Sequence, residues 1–239
     1  MNLAPHHVLI LPGWLNSGPD HWQSLWQAAH GYTRVDQHDW ARPLRGDWIT
    51  RLEEVVLAQT AHSPTNSTNS TNLTNSTAPT PPVTLVAHSL GCLLVAAWAA
   101  LSRNTHRIHC AFLVAPCDVA APHLPPALFS WKRPALRDRS GLGPDTLPHA
   151  VPHAAPHALP QTLPFKSMPF RSLVVASQTD PYCSFAQAQA LAASWGSTLI
   201  DCGERGHINA ESGLGDWPAG HDLLRALQRG DPITGAIKS

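Results

Sequence analysis

Continuous runs of apolar residues, each ended by turn formers, recur along the chain and give its strongest structural signal. Strands inside a parallel sheet are covered on both faces, so they are apolar throughout rather than alternately apolar and polar. We predict such strands over residues 8–11, 83–87, 108–115 and 172–176, with shorter strands over 33–35 and 197–201.

Between these runs, apolar residues recur at helical spacing. The first such segment carries Trp22, Leu25, Trp26 and Ala29, and Asp20 stands where a helix cap is expected. Further helices are predicted over residues 47–61, 92–101, 184–195 and 220–228. Alternation of strands and helices predicts an α/β fold, a mostly parallel sheet with helices on both faces.

Two segments depart from this pattern. Residues 63–82 consist largely of Asn, Ser and Thr, with almost nothing to bury, so we predict a flexible surface insertion. Its sequons at Asn66, Asn69, Asn72 and Asn75 matter only if the chain meets the secretory machinery. Residues 116–169 are dense in proline and histidine, which disfavours regular structure and predicts a long loop or a lid.

Composition limits the domain count and the class of partner. The 239 residues are 43% apolar, which suits a single domain over residues 1–239 that carries the two atypical segments. Sixteen basic residues balance sixteen acidic ones, so no net charge attracts nucleic acid or an anionic membrane. We expect a small-molecule partner, and we take a monomer as the default.

The N-terminal residues lack the positive and apolar regions of a signal peptide, and no stretch is apolar enough to span a membrane. A cytoplasmic protein is therefore expected. The five cysteines are odd in number and contain no CxxC spacing, which argues against a disulfide framework and a zinc site. We predict reduced, mostly buried thiols.

Two groups of residues suggest other chemistry, and neither is favoured. Cys92 and Cys183 lie close in sequence to the serine and aspartate discussed below, but buried cysteines usually act as small apolar residues. Histidines at positions 149, 153 and 157 repeat every four residues, yet the intervening prolines preclude the helix that would align them as metal ligands. No metal or organic cofactor is expected.

A candidate nucleophile lies between the predicted strand 83–87 and the apolar helix that follows. The segment Ala87-His88-Ser89-Leu90-Gly91 places Ser89 at a strand-to-helix turn between small residues, which is typical of a nucleophile elbow. The common form has glycine at the position of Ala87. The alternative interpretation is an ordinary connection in which the serine caps the helix.

A serine hydroxyl attacks efficiently only when a base takes its proton and an acid orients that base. Asp180 and His207 each follow a predicted strand in the last third of the chain. The order Ser, Asp, His, each after a separate strand, matches the α/β hydrolases. We predict Ser89 as nucleophile, His207 as base and Asp180 as acid, with Asp118, which follows the strand 108–115, as the alternative acid.

An oxyanion hole in this class combines the amide after the nucleophile with an amide from a loop after an early strand. Leu90 supplies the first amide, and Gly13-Trp14 is the best candidate for the second. We predict that the backbone amides of Leu90 and Trp14 form the hole, with the Trp14 indole in the pocket wall. The alternative for this tryptophan is packing beneath the sheet.

Six short segments form an ordered set: Leu9-Ile10-Leu11-Pro12-Gly13-Trp14, His21-Trp22, Ala87-His88-Ser89-Leu90-Gly91-Cys92, Val114-Ala115-Pro116, Ser177-Gln178-Thr179-Asp180-Pro181 and Gly206-His207-Ile208-Asn209. With them the chain resembles the retinoblastoma-binding-protein-nine-like family of small serine hydrolases, predicted esterases of the α/β-hydrolase superfamily. The resemblance implies a compact sheet, hydrolase chemistry, and the roles already given to Ser89, Asp180 and His207. No residues support a transfer of retinoblastoma-protein binding.

The resulting expectation is a serine hydrolase acting on carboxylic esters through an acyl-enzyme, without a cofactor. Two alternatives remain open at this stage. One is a catalytically idle scaffold that serves as a binding protein, which the complete Ser, Asp and His set disfavours. The other is an acyltransferase, in which the acyl group passes to an acceptor other than water.

Overall fold

The computed structural model describes residues 7–61, 82–121, 124–132 and 167–233. Nearly all of the Asn-Ser-Thr-rich insertion and most of the proline-rich segment lie outside these ranges. The predictions of a flexible insertion, of a loop or lid, and of one domain over the whole chain therefore stay predictions.

The described chain contains six strands and five α-helices. A strand and an α-helix alternate except before the fifth strand, which follows the short 3-10 helix Pro126–Trp131. The strands are β1 (His7–Leu11), β2 (Thr33–Arg34), β3 (Val83–His88), β4 (Ile108–Val114), β5 (Arg171–Ala176) and β6 (Thr198–Asp201). The helices are α1 (Trp22–His30), α2 (Arg45–Ala61), α3 (Leu90–Leu101), α4 (Phe185–Trp195) and α5 (Pro218–Arg229). These bounds lie within two residues of the predicted ones.

The strands form one sheet in the order β2-β1-β3-β4-β5-β6, and every neighbouring pair is parallel. The prediction of a mostly parallel sheet is thus confirmed. Because all strands point the same way, their carboxyl ends meet at one edge, and open α/β sheets build their sites at that edge. The loops after β1, β3, β5 and β6 all emerge there.

Helices cover both faces of the sheet, as predicted. Helices α2, α3 and α4 pack on one face around a core that includes Leu52, Leu94 and Leu191. Helices α1 and α5 pack on the other face, around Trp22 and Leu224. The central strands are buried along both faces, which explains why their sequences are apolar without alternation.

The start of α1 differs from the prediction. His21, not Asp20, is the residue before the helix, and its Nδ1 accepts a hydrogen bond from the Gln23 amide at 3.1 Å. Asp20 is exposed. The difference arises because burial of the Trp22 ring sets where the helix begins, and an imidazole nitrogen then serves as the capping acceptor.

The five cysteines are free and buried, which confirms the prediction of reduced, buried thiols. None of the helices in the described ranges has the length and apolar character needed to cross a membrane.

Candidate active site

Ser89 lies in the turn between β3 and α3, with φ 54° and ψ −120°. Residues other than glycine rarely adopt this backbone conformation, and such backbone strain is typical of functional turns. The turn is possible because Gly91 lies against β1: a Cβ there would collide with the carbonyl oxygen of Leu11 and lie 2.9 Å from that of Pro12. Gly13 packs closely against the serine itself, since a Cβ added to Gly13 would lie 2.8 Å from the Ser89 Cβ.

The three residues predicted from chain order meet at the carboxyl edge of the sheet. His207 Nε2 lies 2.9 Å from Ser89 Oγ, and His207 Nδ1 lies 2.9 Å from both carboxylate oxygens of Asp180. The side chains of His207 and Asp180 are only 9% and 3% exposed. A carboxylate can only accept from Nδ1–H, so neutral His207 presents an unprotonated Nε2 to the serine hydroxyl.

Side-chain hydroxyls of the loop after β5 hold the loop that carries His207. Ser177 Oγ accepts a hydrogen bond from the Arg205 amide at 2.9 Å, and Thr179 Oγ1 accepts one from the Gly206 amide at 3.1 Å. The Asp180 carboxylate itself accepts a hydrogen bond from the Tyr182 amide at 2.9 Å. The carboxylate and imidazole are therefore held by two loops that bond directly to each other.

The alternative acid, Asp118, lies after β4 and is not brought to His207. Its carboxylate accepts a hydrogen bond from the Ala120 amide at 2.8 Å, and its amide donates to the carbonyl of Tyr182 at 3.0 Å. The Asp118 carboxylate thus stabilises its own turn, and the Asp118 amide binds the loop after β5. Of the two aspartates, only Asp180 contacts the imidazole in the described part of the chain.

The two residues predicted to supply the oxyanion-hole amides lie on segments that adjoin Ser89: Leu90 follows it in the chain, and Trp14 follows Gly13, which packs against it. Leu90 is the first residue of α3, where an amide has no intrahelical acceptor. Trp14 lies in the loop after β1, next to Gly13. No backbone acceptor for either amide occurs among the described residues. The Trp14 indole donates to the carbonyl of Ala41 at 3.0 Å and packs on the core, so it is partly buried.

Three further side chains border the site, and the sequence analysis assigns a catalytic role to none of them. His88 Nε2 lies 2.9 Å from the carbonyl oxygen of His207, and the exposed Tyr182 ring lies edge-on to the His207 ring at 4.6 Å. His21 in turn packs edge-on against His88 at 4.7 Å. The sequence features that point to two of these residues are weak: His88 adjoins Ser89, and His21 stands at the start of a helix, where Asp or Ser is usual.

The thiols beside the site are poorly suited to nucleophilic chemistry. Burial raises the pKa of Cys117 to about 12 and the pKa of Cys92 well above its usual value, so both stay protonated at neutral pH. Among the described residues, no group of three or more His, Cys, Asp or Glu side chains is arranged to hold a metal ion.

The parallel sheet with helices on both faces is the α/β-hydrolase fold. The chain belongs to the serine hydrolase family, whose sequence profile matches residues 8–66 and 59–226. It is therefore a small serine hydrolase. A comparison with curated proteins finds no match.

Solved structures share this fold at low sequence identity. A YdeN-like hydrolase from Pectobacterium atrosepticum is 24% identical, with a TM-score of 0.64 over 93% of this chain and 90% of that one. The YdeN protein of Bacillus subtilis is 18% identical, with a TM-score of 0.61 over 93% and 98% of the two chains. Carboxylesterase CesB of B. subtilis is 14% identical, with a TM-score of 0.50 over 94% and 84%.

Proposed function

We propose that this hydrolase cleaves carboxylic esters, with Ser89 as nucleophile, His207 as general base and Asp180 as the orienting acid. The observation that carries the proposal is the continuous hydrogen-bonded chain from Ser89 Oγ through the imidazole to the carboxylate, with the serine in a strained turn. Such a chain serves acyl transfer because the base and its orienter are already in place.

In the first half-reaction, Ser89 Oγ attacks the ester carbonyl carbon while His207 Nε2 takes its proton. Negative charge develops on the carbonyl oxygen, and the amides of Leu90 and Trp14 are proposed to stabilise it. The imidazolium, stabilised by Asp180, then protonates the leaving alcohol as the ester bond breaks. The products are an acyl-Ser89 ester and a free alcohol.

In the second half-reaction, water attacks the carbonyl carbon of the acyl-enzyme while His207 takes a proton from the water. Collapse of the tetrahedral intermediate returns the proton to Ser89 Oγ and releases the carboxylic acid. Besides the substrate and water, the proposed steps use side chains and amides of this chain. Transfer of the acyl group to an added alcohol, measured beside hydrolysis, would identify the acyltransferase alternative.

An ester substrate is favoured over a peptide because the described part of the chain carries no evident second domain for holding a peptide. The carboxylesterase name of CesB, which shares only the fold, agrees with this choice. We also infer, from the six short segments, membership of the retinoblastoma-binding-protein-nine-like group. A monomer acting in the cytoplasm on a small-molecule ester completes the proposal.

The decisive experiment is labelling with a fluorophosphonate, followed by intact-mass analysis and by hydrolysis of p-nitrophenyl esters. We expect one label on the unmodified chain, none on Ser89→Ala, and strongly slowed labelling on His207→Ala. Ser194→Ala is a matched control, because this hydroxyl donates to the Leu191 carbonyl within α4, away from Ser89. Absence of labelling in the unmodified chain would support the idle-scaffold alternative.

The choice of acid is tested separately by two asparagine variants. We expect Asp180→Asn to lower kcat on the order of 10⁴-fold, because the amide stabilises the wrong imidazole tautomer. Asp118→Asn should leave kcat within about twofold, since among the described residues this carboxylate accepts a hydrogen bond from its own turn alone. If Asp118→Asn alone abolished activity, the assignment of Asp180 would be wrong.

A further inference from the structure

A second, fully buried histidine lies directly behind the imidazole of His207. The His88 side chain ends β3 and is only 5% exposed, and its ring lies 4.8 Å from the His207 ring at an angle of 60°. Its Nε2 lies 2.9 Å from the carbonyl oxygen of His207. None of the steps proposed above uses this side chain, yet it contacts the main chain of the proposed base.

The hydrogen bond fixes the protonation state of the His88 ring. A carbonyl oxygen can only accept, so Nε2 of His88 carries the proton and donates it. Burial, followed by the neighbouring rings of His21 and His207, lowers the pKa of His88 well below its usual value. His88 is therefore a neutral donor, and it adds no positive charge beside an imidazole that must itself become charged during the reaction.

The carbonyl that His88 binds belongs to an irregular part of the chain. His207 lies between Gly206 and Ile208, which both have positive φ, at 55° and 48°. The next carbonyl, that of Ile208, accepts a hydrogen bond from the Trp22 indole at 2.8 Å. Two consecutive carbonyls are thus held by buried side-chain donors from β3 and α1, where no helix or strand holds them.

These contacts fix the imidazole from its main-chain side, while Asp180 fixes it from Nδ1. The carboxylate alone leaves the ring free to swing about that hydrogen bond if the Cα of His207 shifts. Misplacement of a reacting group by about 1 Å can cost on the order of a hundredfold in rate. A donor on the His207 carbonyl opposes such a shift without touching the substrate.

We propose that His88 is a positioning residue, which holds the carbonyl of His207 so that Nε2 of the base stays aimed at Ser89 Oγ. This inference rests on the proposed role of His207 as the base. His21, which packs edge-on against His88, keeps the His88 ring in place from the side of α1. The Nδ1 of His21 accepts the Gln23 amide, so this ring is anchored to the helix start.

The test separates the hydrogen bond from the shape of the ring. His88→Gln keeps an N–H donor at similar reach but lacks the ring, whereas His88→Phe keeps a ring of similar size but lacks the donor. We expect kcat for p-nitrophenyl acetate to fall about tenfold or more in His88→Phe, with KM within about twofold, and to recover to within about threefold of the unmodified chain in His88→Gln.

The reverse ranking, with His88→Phe active and His88→Gln impaired, would overturn the proposal in favour of packing. Equal kcat in all three proteins would overturn it as well. His109→Phe is the control for loss of a histidine elsewhere in the sheet, because His109 Nε2 lies 2.8 Å from the Gln228 carbonyl oxygen and 3.1 Å from Arg171 Nη2, away from the Ser89 site. We expect it to leave kcat unchanged.

A second measurement needs no variant to fold. Side-chain ¹⁵N NMR of the unmodified protein should show His88 as the neutral Nε2–H tautomer; an Nδ1–H tautomer would overturn the proposal. Failure of the inference is distinct from failure of the proposed function. In the first case the unmodified chain is still labelled at Ser89 and hydrolyses esters, whereas in the second it does neither.

Discussion

Both faces of the sheet are rich in tryptophan, but their indole groups hold different parts of the chain. On the α1 and α5 face, Trp22 donates to the carbonyl of Ile208 at 2.8 Å and Trp26 donates to that of Asp216. On the α2, α3 and α4 face, Trp98 donates to the Glu53 carboxylate at 2.6 Å and Trp131 donates to the carbonyl of Pro43 at 2.7 Å.

The difference shows how one type of side chain serves two purposes. Tryptophan combines a large apolar body with a single donor, so its body fills a core while its donor selects one acceptor. On the α1 and α5 face the donors act on the segment that carries His207. On the other face Trp98 joins α3 to α2, and Trp131, which lies after β4, binds the loop before α2. Ser89 is held there by close packing of Gly91 against β1.

The comparison predicts that damage to packing at the nucleophile has the largest effect. Gly91→Ala places a methyl group against the carbonyls of Leu11 and Pro12, which belong to the backbone and cannot move aside cheaply. We expect the unfolding free energy to fall by about 1–3 kcal/mol or more, with loss of fluorophosphonate labelling. Thermal unfolding and labelling rates measure both.

The control is Gly46→Ala in the first turn of α2, where a Cβ meets nothing within 4 Å. This variant should be equal to the unmodified chain in activity, and more stable by up to about 1 kcal/mol. If the two glycine variants behaved alike, close packing at the elbow would not be what holds Ser89.

Loss of an indole donor is expected to have an intermediate effect, on kcat for the α1 and α5 face and on stability for the other face. Trp22→Phe removes the donor to the Ile208 carbonyl, so we expect kcat to fall about tenfold while KM stays within about twofold. Trp98→Phe removes a donor to Glu53, which should cost about 1–2 kcal/mol of stability and leave kcat unchanged. Equal kcat in the two variants would contradict the comparison.

The last prediction concerns acid stability on the α1 side, and it expects the smallest change at neutral pH. Burial, then the neighbouring His207 and Arg34, lowers the pKa of His21 from 6.5 to about 3, and His88 also faces this ring. Between these two values the unfolded chain binds the proton and the folded chain does not, so the unfolding free energy decreases as pH falls from about 6.5 toward 3.

His21→Asn keeps an acceptor suited to the helix start and removes this titration. Its unfolding free energy, measured by urea denaturation across that range of pH, should fall less steeply than that of the unmodified chain. His106→Asn, at an exposed position, provides the control. Parallel slopes in the unmodified chain and His21→Asn would show that His21 is not responsible.

Much of the fold and part of the site could be predicted before any coordinates. Apolar runs such as residues 83–87 and 172–176 became central parallel strands, because only a strand covered on both faces needs apolar residues at every position. The order of Ser89, Asp180 and His207 placed each after a strand, and the carboxyl ends of parallel strands share one edge. Their convergence therefore followed from topology.

Other features depend on distances that no sequence pattern encodes. Asp118 and Asp180 both follow strands, and only the paths of their loops decide that one carboxylate meets His207 while the other closes its own turn. The helix cap at His21 was missed for a similar reason, since burial of a neighbouring ring moved the helix start by one residue.

The sequence by itself determined the parallel sheet, the helices on both faces and the position of Ser89 and His207 after separate strands, because local periodicity and chain order are properties of the chain alone. The tertiary structure decided which aspartate contacts His207, and that His88 and Trp22 hold consecutive carbonyls beside it. Hydrogen bonds between residues more than a hundred positions apart depend on donor and acceptor meeting within about 3 Å, and only the packed fold sets that distance.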